Sequence, residues 1–344
     1  MLFVTVLHVL GHGGVLENTT GISNSTAWFG ETIAYCAVNC YAIISGFVMY
    51  SEKEKPYRYS KYITMWLQVF FYSFGISIVA FVLGNDTVGI KEIIKSALPV
   101  ITKQYWYFSC YTGVFFVVPF INKLIRSFTK KDAVIFISII FTVFACANLL
   151  MDTMALNYGY SFIWLALMYV VGALLKKYDI ASKIKSKYAL LALIVCVLIS
   201  WLFRILSPIC KGMFISYLSP TIVINAVCMV IIFSKLNING VFKKIIKCFS
   251  PAAFGVYLIH EQYATRANFV TNKFLWIAKL DWYIIPIAVF GCAVGIFVLC
   301  IFIEKIRIYM FKLLKINKIA ENLWDKAVKI LKNIVRKFIP ESAD

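Results

Sequence analysis

From Trp282 to Ile303 the chain runs through twenty-two residues without a charged side chain. A helix of about 20 apolar residues crosses the hydrocarbon core of a bilayer, and a soluble domain has nowhere to bury such a run on all sides. Nine more apolar segments recur, at about 1–16, 29–50, 62–83, 105–122, 133–151, 158–175, 188–205, 216–234 and 249–262. The composition agrees: 61% hydrophobic, 15% charged, mean hydropathy +0.82. The expectation is an all-α, polytopic transmembrane helical bundle of about ten spans. Residues 1–304 form the membrane domain, and residues 305–344 form a basic amphipathic tail.

Net charge is +19, which in a soluble chain would suggest nucleic acid. Here the charge follows the connections. Those after the second, fourth, sixth and eighth spans, with the tail, hold 27 of the 35 Lys and Arg residues; the others hold eight. Positive charge collects on the cytoplasmic side, so both termini are expected in the cytoplasm of a multi-pass cell-membrane protein, with no nucleic acid as partner. In the tail, Ile316, Ile319, Leu323, Ala327, Leu331, Ile334 and Phe338 recur at steps of three and four, with Lys315, Lys318, Lys326, Lys329, Lys332 and Arg336 between them. That pattern predicts a helix lying on anionic membrane lipid. Ile90 to Leu98 reads as a second surface helix. The ten cysteines are scattered through apolar spans without a C-x-x-C pair and read as packing residues.

The first two segments carry an unusual polar load. Two of only three histidines, His8 and His12, lie one helical turn apart in the first. In the second, Glu31, Tyr35, Asn39, Ala42 and Gly46 fall within roughly 80° of one helix face. Polar and ionisable groups at membrane depth are costly and are functional candidates for that reason. His8, flanked by Leu7 and Val9, is expected neutral and able to accept a proton from a hydroxyl. A metal on His8 and His12 would need a third ligand from His260 or a carboxylate, and no metal is expected. Trp106 and Tyr107, with His260 and Glu261, stand at the ends of the fourth and ninth spans. Arg58 and Lys61 suit an anion's phosphates. Each also has a plainer reading: interhelical hydrogen bonding for His8 and Asn39, an aromatic belt for Trp106 and Tyr107, positive-inside bias for Arg58 and Lys61.

The His8 segment, Asn39 to Phe47, Arg58 with Lys61, Trp106-Tyr107, and Phe254-Gly-Val-Tyr-Leu-Ile-His260 occur in an order that resembles the type-3 membrane acyltransferases, which O-acylate bacterial surface polysaccharides and cell-wall glycans. The resemblance implies a ten-helix bundle moving an acyl group, usually acetyl, from cytoplasmic acyl-CoA to a sugar hydroxyl of a glycan or lipid-linked acceptor. It implies His8 as catalytic base, with Asn39 and Tyr41 positioning substrate or base. It gives Arg58 and Lys61 to the CoA phosphates, and His12, Glu31, Trp106, Tyr107, His260 and Glu261 to the acceptor. The arginine that precedes the family's histidine by eleven positions would fall four residues before Met1. Two alternatives stay open: a transporter of a small polar solute or amino acid on the same fold, and a member inactive for want of that arginine.

Overall fold

The computed structural model describes residues 1–54, 56–207 and 212–338, with side chains to residue 334. The Arg336 and Phe338 side chains of the predicted tail helix lie outside the described residues. Every regular element among the described residues is helical. In chain order the longer ones are α1 (Leu2–Leu10), α2 (Gly21–Ala34), α3 (Ala37–Met49), α4 (Ser60–Val82), α5 (Ile90–Ala97), α6 (Trp106–Ser127) and α7 (Lys130–Ile139). Then follow α8 (Phe162–Lys177), α9 (Ser186–Leu206), α10 (Pro220–Ser234), α11 (Gly240–Phe249), α12 (Ala253–His260), α13 (Ile285–Leu313) and α14 (Ile316–Phe338).

Six stretches among the described residues are long and apolar enough to cross a membrane: Gly21–Met49, Ser60–Val82, Trp106–Ser127, Lys130–Asn148, Ser186–Leu206 and Ile285–Leu313. The long helices turn apolar side chains outward, among them Val79, Leu191, Phe290, Leu299 and Phe302, while Glu31, Asn39, Asn225, His260 and Glu304 are buried. That inversion is what a bilayer solvent selects. The shorter α1, α8, α10 and α12 are largely buried among the long ones. The first segment, read as continuous over 1–16, is broken: α1 stops at Leu10, and Gly14 (φ +85°) turns the chain into a short helix at Val15–Asn18. The second, read as one span, changes helix at Tyr35 and Cys36.

Close packing comes from small residues. A Cβ on Gly46 would strike the Tyr169 carbonyl, and one on Gly172 would strike the Ile43 carbonyl, so α3 and α8 touch backbone to backbone. Helix ends are finished locally. Thr129 caps α7 by accepting from Asp132 N (3.2 Å), while Asp132 Oδ2 accepts from Thr129 N (2.8 Å). Lys177 donates to three carbonyls at the end of α6: Ile125 (2.7 Å), Arg126 (2.9 Å) and Phe128 (2.9 Å). Pro119 inside α6 cannot bond the Phe115 carbonyl, and Tyr57 Oη donates to that carbonyl instead (2.9 Å). The proline thereby draws the α3–α4 connection onto α6. Helix α13 runs on through residues 304 and 305, where the apolar run ends, because Glu304 and Arg307 pair with each other and stay buried.

Candidate functional site

All three histidines meet. The His8 ring lies 4.8 Å, centroid to centroid, from His12 and 4.8 Å from His260. Helix α1 supplies His8, the turn after it His12, and the last residue of α12 His260. Gly255 in α12 sits against the Glu304 side chain of α13, which seats the helix that carries His260.

The hydrogen bonds fix where the protons are. His260 Nδ1 lies 2.5 Å from the Val256 carbonyl, which only accepts, so Nδ1 carries a hydrogen. Neutral His260 then accepts at Nε2 from His8 Nδ1–H, 2.7 Å away. That leaves His8 Nε2 as an unprotonated lone pair. Glu261 Oε2 stands 3.2 Å from His8 Nδ1 yet has no hydrogen-bond partner, because the Nδ1–H already points at His260. The carboxylate therefore faces the ring as a charge. Its other oxygen is held by Arg266 Nη1 at 2.5 Å. His8, His260 and Glu261 each offer a ligand atom within 4.8 Å of the others. The 2.7 Å between the two ring nitrogens is a hydrogen-bond distance, shorter than two nitrogens about one zinc ion would keep at Zn–N of ~2.0–2.1 Å in a tetrahedral shell.

His8 borders two cavities. One, of about 520 Å³, lies against α1 and α2 and is lined by His8, His12, Glu17, Trp28, Glu31, Tyr35, Tyr160, Arg204 and Tyr217. Arg204 lies over the Trp28 ring at 3.8 Å. Glu31 is 7% exposed and its Oε2 has no hydrogen-bond partner among the described residues. The other, of about 300 Å³, is more apolar and is lined by Met1, Val4, Val38, Tyr41, Met65, Trp106, Tyr107, Phe254 and Tyr257 besides His8. Here Tyr41 Oη and Tyr257 Oη are buried without partners. Buried polar atoms are nearly always paired, so these three are candidate contacts for water or for a ligand's polar groups. Tyr217 lines both cavities and stacks on Trp106, forming part of the wall between them.

A third cavity, about 290 Å³, lies at the end of the bundle where α3 and α6 finish. Arg58, Lys61, Lys53 and Arg126 line it, with Glu54, Tyr57 and Asn122. Arg126 reaches the exposed Glu54 across 3.8 Å. Tyr111 of the second cavity donates to Met49 Sδ of the third (3.8 Å), so the two are neighbours.

Of the residues singled out from sequence, His8, His12, His260 and Glu261 come together. Glu31 joins His12 in the large cavity, and Arg58 and Lys61 share the basic one. Tyr41, Trp106 and Tyr107 line the apolar cavity, where Trp106 and Tyr107 were expected beside the acceptor. Asn39 lines none of the three. Its Nδ2 donates to the Tyr217 carbonyl (2.8 Å) and its Oδ1 accepts from Trp164 Nε1 (3.0 Å), which ties α3 to α8. Arg266, Arg126, Tyr217 and Trp28 escaped notice. Arg266 stands five residues after Glu261, and nothing in that spacing assigns the pair.

No curated protein and no solved structure matches this chain. The family model described as an acyltransferase domain, acyltransferase 3, matches residues 1–305, which takes in every residue of the three cavities. The chain belongs to the acyltransferase 3 family.

Proposed function

We propose that this membrane acyltransferase moves an acyl group, acetyl foremost, from cytoplasmic acyl-CoA to a hydroxyl of an exopolysaccharide or cell-envelope glycan, free or lipid-linked, with His8 as general base. The observation that carries the reading is His8 itself: the residue borders both cavities, and its Nε2 is left unprotonated. The CoA phosphates bind at Arg58, Lys61 and Arg126, and the pantetheine arm follows the apolar cavity past Tyr41, Trp106 and Tyr107. The acceptor sugar enters the large cavity, against Glu31, His12 and the Trp28 and Tyr160 rings. As the hydroxyl oxygen attacks the thioester carbon, its proton passes to His8 Nε2. The C–S bond breaks, the ester forms, and the imidazolium gives its proton to the departing CoA thiolate. Glu261 stabilises the transient imidazolium, and Arg266 keeps that carboxylate in place. A positioned base of this kind contributes about 10²–10⁴-fold.

The protein reconstituted in liposomes is expected to release CoA thiol from acetyl-CoA only when a glycan acceptor is supplied. Solute uptake without thiol release would replace this reading with that of a transporter. Arg58→Gln with Lys61→Gln is expected to raise the KM for acyl-CoA about tenfold or more with little change in kcat, since each charge-assisted phosphate contact is worth about 1.5–3 kcal/mol. An unchanged KM would remove the phosphates from this pocket.

The charge count supports ten spans and cytoplasmic termini. A reporter active only outside the cytoplasm, fused after residue 344, is expected to be silent. A strong signal would invert the bundle and put the basic cavity on the wrong side for CoA.

A further inference from the structure

The family match ends at residue 305, but the ordered chain continues into α14, 23 residues long. At 100° per residue many of its described side chains fall in three strips. Ala320, Trp324 and Val328 form the strip that packs on the protein, with Ala320 fully buried. Next to it Ile319, Leu323, Ile330 and Ile334 stay 45–61% exposed. On the far side of that apolar strip come Lys318, Lys326 and Lys329, all exposed. An exposed apolar strip flanked by lysines is complementary to one surface, a bilayer interface with anionic headgroups.

The protein-facing strip lands beside the basic cavity, on the segment that carries Arg58 and Lys61. Trp324 stacks on Tyr59 (5.4 Å, 22°), and Tyr59 stacks in turn on Phe116 of α6 (6.0 Å, 13°). Tyr57 meets Tyr59 edge-on at 4.8 Å and is tied to the Phe115 carbonyl. Arg58 lies between these two pinned rings, and Lys61 follows two residues on. Both are exposed, and both line the cavity. The long side chains that would hold phosphates thus stand on a segment clamped between α6 and the tail helix.

We propose that α14 docks on anionic phospholipid and, through Trp324 on Tyr59, couples that lipid to the pose of Arg58 and Lys61. This rests on the reading of the basic cavity as the donor site. The direction is diagnostic. An anionic surface repels coenzyme A by simple charge, so without coupling it weakens binding. With coupling it strengthens binding, because docking orders the clamp before the ligand arrives.

The test is coenzyme A titrated by calorimetry into the full-length protein in nanodiscs, either of phosphatidylcholine alone or with phosphatidylglycerol, at one ionic strength. Affinity is expected to be about fivefold or more tighter in the anionic discs, the lower end of ordinary coupling between linked sites. Trp324→Ala is expected to erase the difference between the two lipids, Trp324→Phe to retain it, and the triple change Lys318→Gln, Lys326→Gln, Lys329→Gln to erase it. Equal or weaker affinity of the wild type in anionic discs overturns the coupling while leaving the donor reading intact. Retention of the full lipid response by Trp324→Ala or by the lysine variant overturns it as well. Failure of coenzyme A to bind in either disc overturns the donor reading and the coupling together.

Discussion

His8→Ala is expected to abolish acyl transfer to the surface glycan while the protein still accumulates in the membrane. The proposed chemistry requires this result. A neutral hydroxyl is a poor nucleophile, and His8, the histidine that borders both cavities, keeps Nε2 free of a donor hydrogen. Losing a positioned base costs about 10²–10⁴-fold, enough to bring acetyl content to background. Alanine is the best helix former, so α1 itself tolerates the change. It does leave His260 Nε2 without its donor, and an unpaired buried acceptor costs about 1–3 kcal/mol. His8→Asn separates the two effects. An asparagine amide reaches the position of Nδ1 and donates to His260, but it has nothing at the position of Nε2. It is expected to be as inactive as alanine and more stable. His12→Ala is expected to retain part of the activity, since that ring lies on the acceptor side of His8. The measurement is acetyl ester per sugar repeat in a strain whose acetylation depends on this chain, with the membrane level of each variant determined in parallel. Unchanged acetyl content in His8→Asn would end the assignment of His8 as base.

Much of this site was visible in the sequence because a membrane makes polar residues conspicuous. His8, Glu31 and His260 stood out against apolar neighbours, and the fold brings His8 and His260 into hydrogen-bond contact. What periodicity cannot give is the partner. Asn39 sits on the same stripe as Glu31, yet α3 packs on α8 at that depth, so Asn39 meets Trp164 while Glu31 faces a cavity. A 100° step gives the face and not what the neighbouring helix brings to it. Arg266 lay in what read as an outer connection, where a cation draws no notice, and only the return of the chain after α12 lays it on Glu261. The segment 56–61 was legible as basic, but not its clamp. That depends on Pro119 freeing a carbonyl sixty residues further along the chain. The apolar run gave the start of α13 but not its end, because hydropathy treats each charge as an exit from the membrane and does not see that two charges one helical turn apart can cancel.

That buried pair sets the second large effect. Glu304 is fully buried and Arg307 is 9% exposed. Glu304 Oε1 accepts from Gln68 (3.0 Å) and from Arg307 Nη2, and Oε2 accepts from Tyr72 Oη (2.7 Å) and Arg307 Nε (3.2 Å). Glu304→Ala strips four donors of their acceptor and leaves a guanidinium uncompensated among apolar helices. Removing one member of a buried pair costs about 3–5 kcal/mol, and the low dielectric around α13 gives no relief. Alanine also opens space over Gly255, where the Glu304 side chain packs on α12, so the helix that carries His260 loses its seat. The variant is expected to have a much lower apparent melting temperature in mild detergent. The double change Glu304→Gln with Arg307→Met removes both charges, keeps an acceptor for the Tyr72 hydroxyl and fills the same volume. It is therefore expected to be markedly more stable than Glu304→Ala, as replacement of a whole buried ion pair is often close to neutral. The order of the variants carries the argument, because a pair that merely contributed attraction would leave the double variant no better than Glu304→Ala, that attraction being lost once in either. A double variant no more stable than Glu304→Ala would show that the pair holds α4, α12 and α13 together by its charges, and that desolvation is the smaller quantity here.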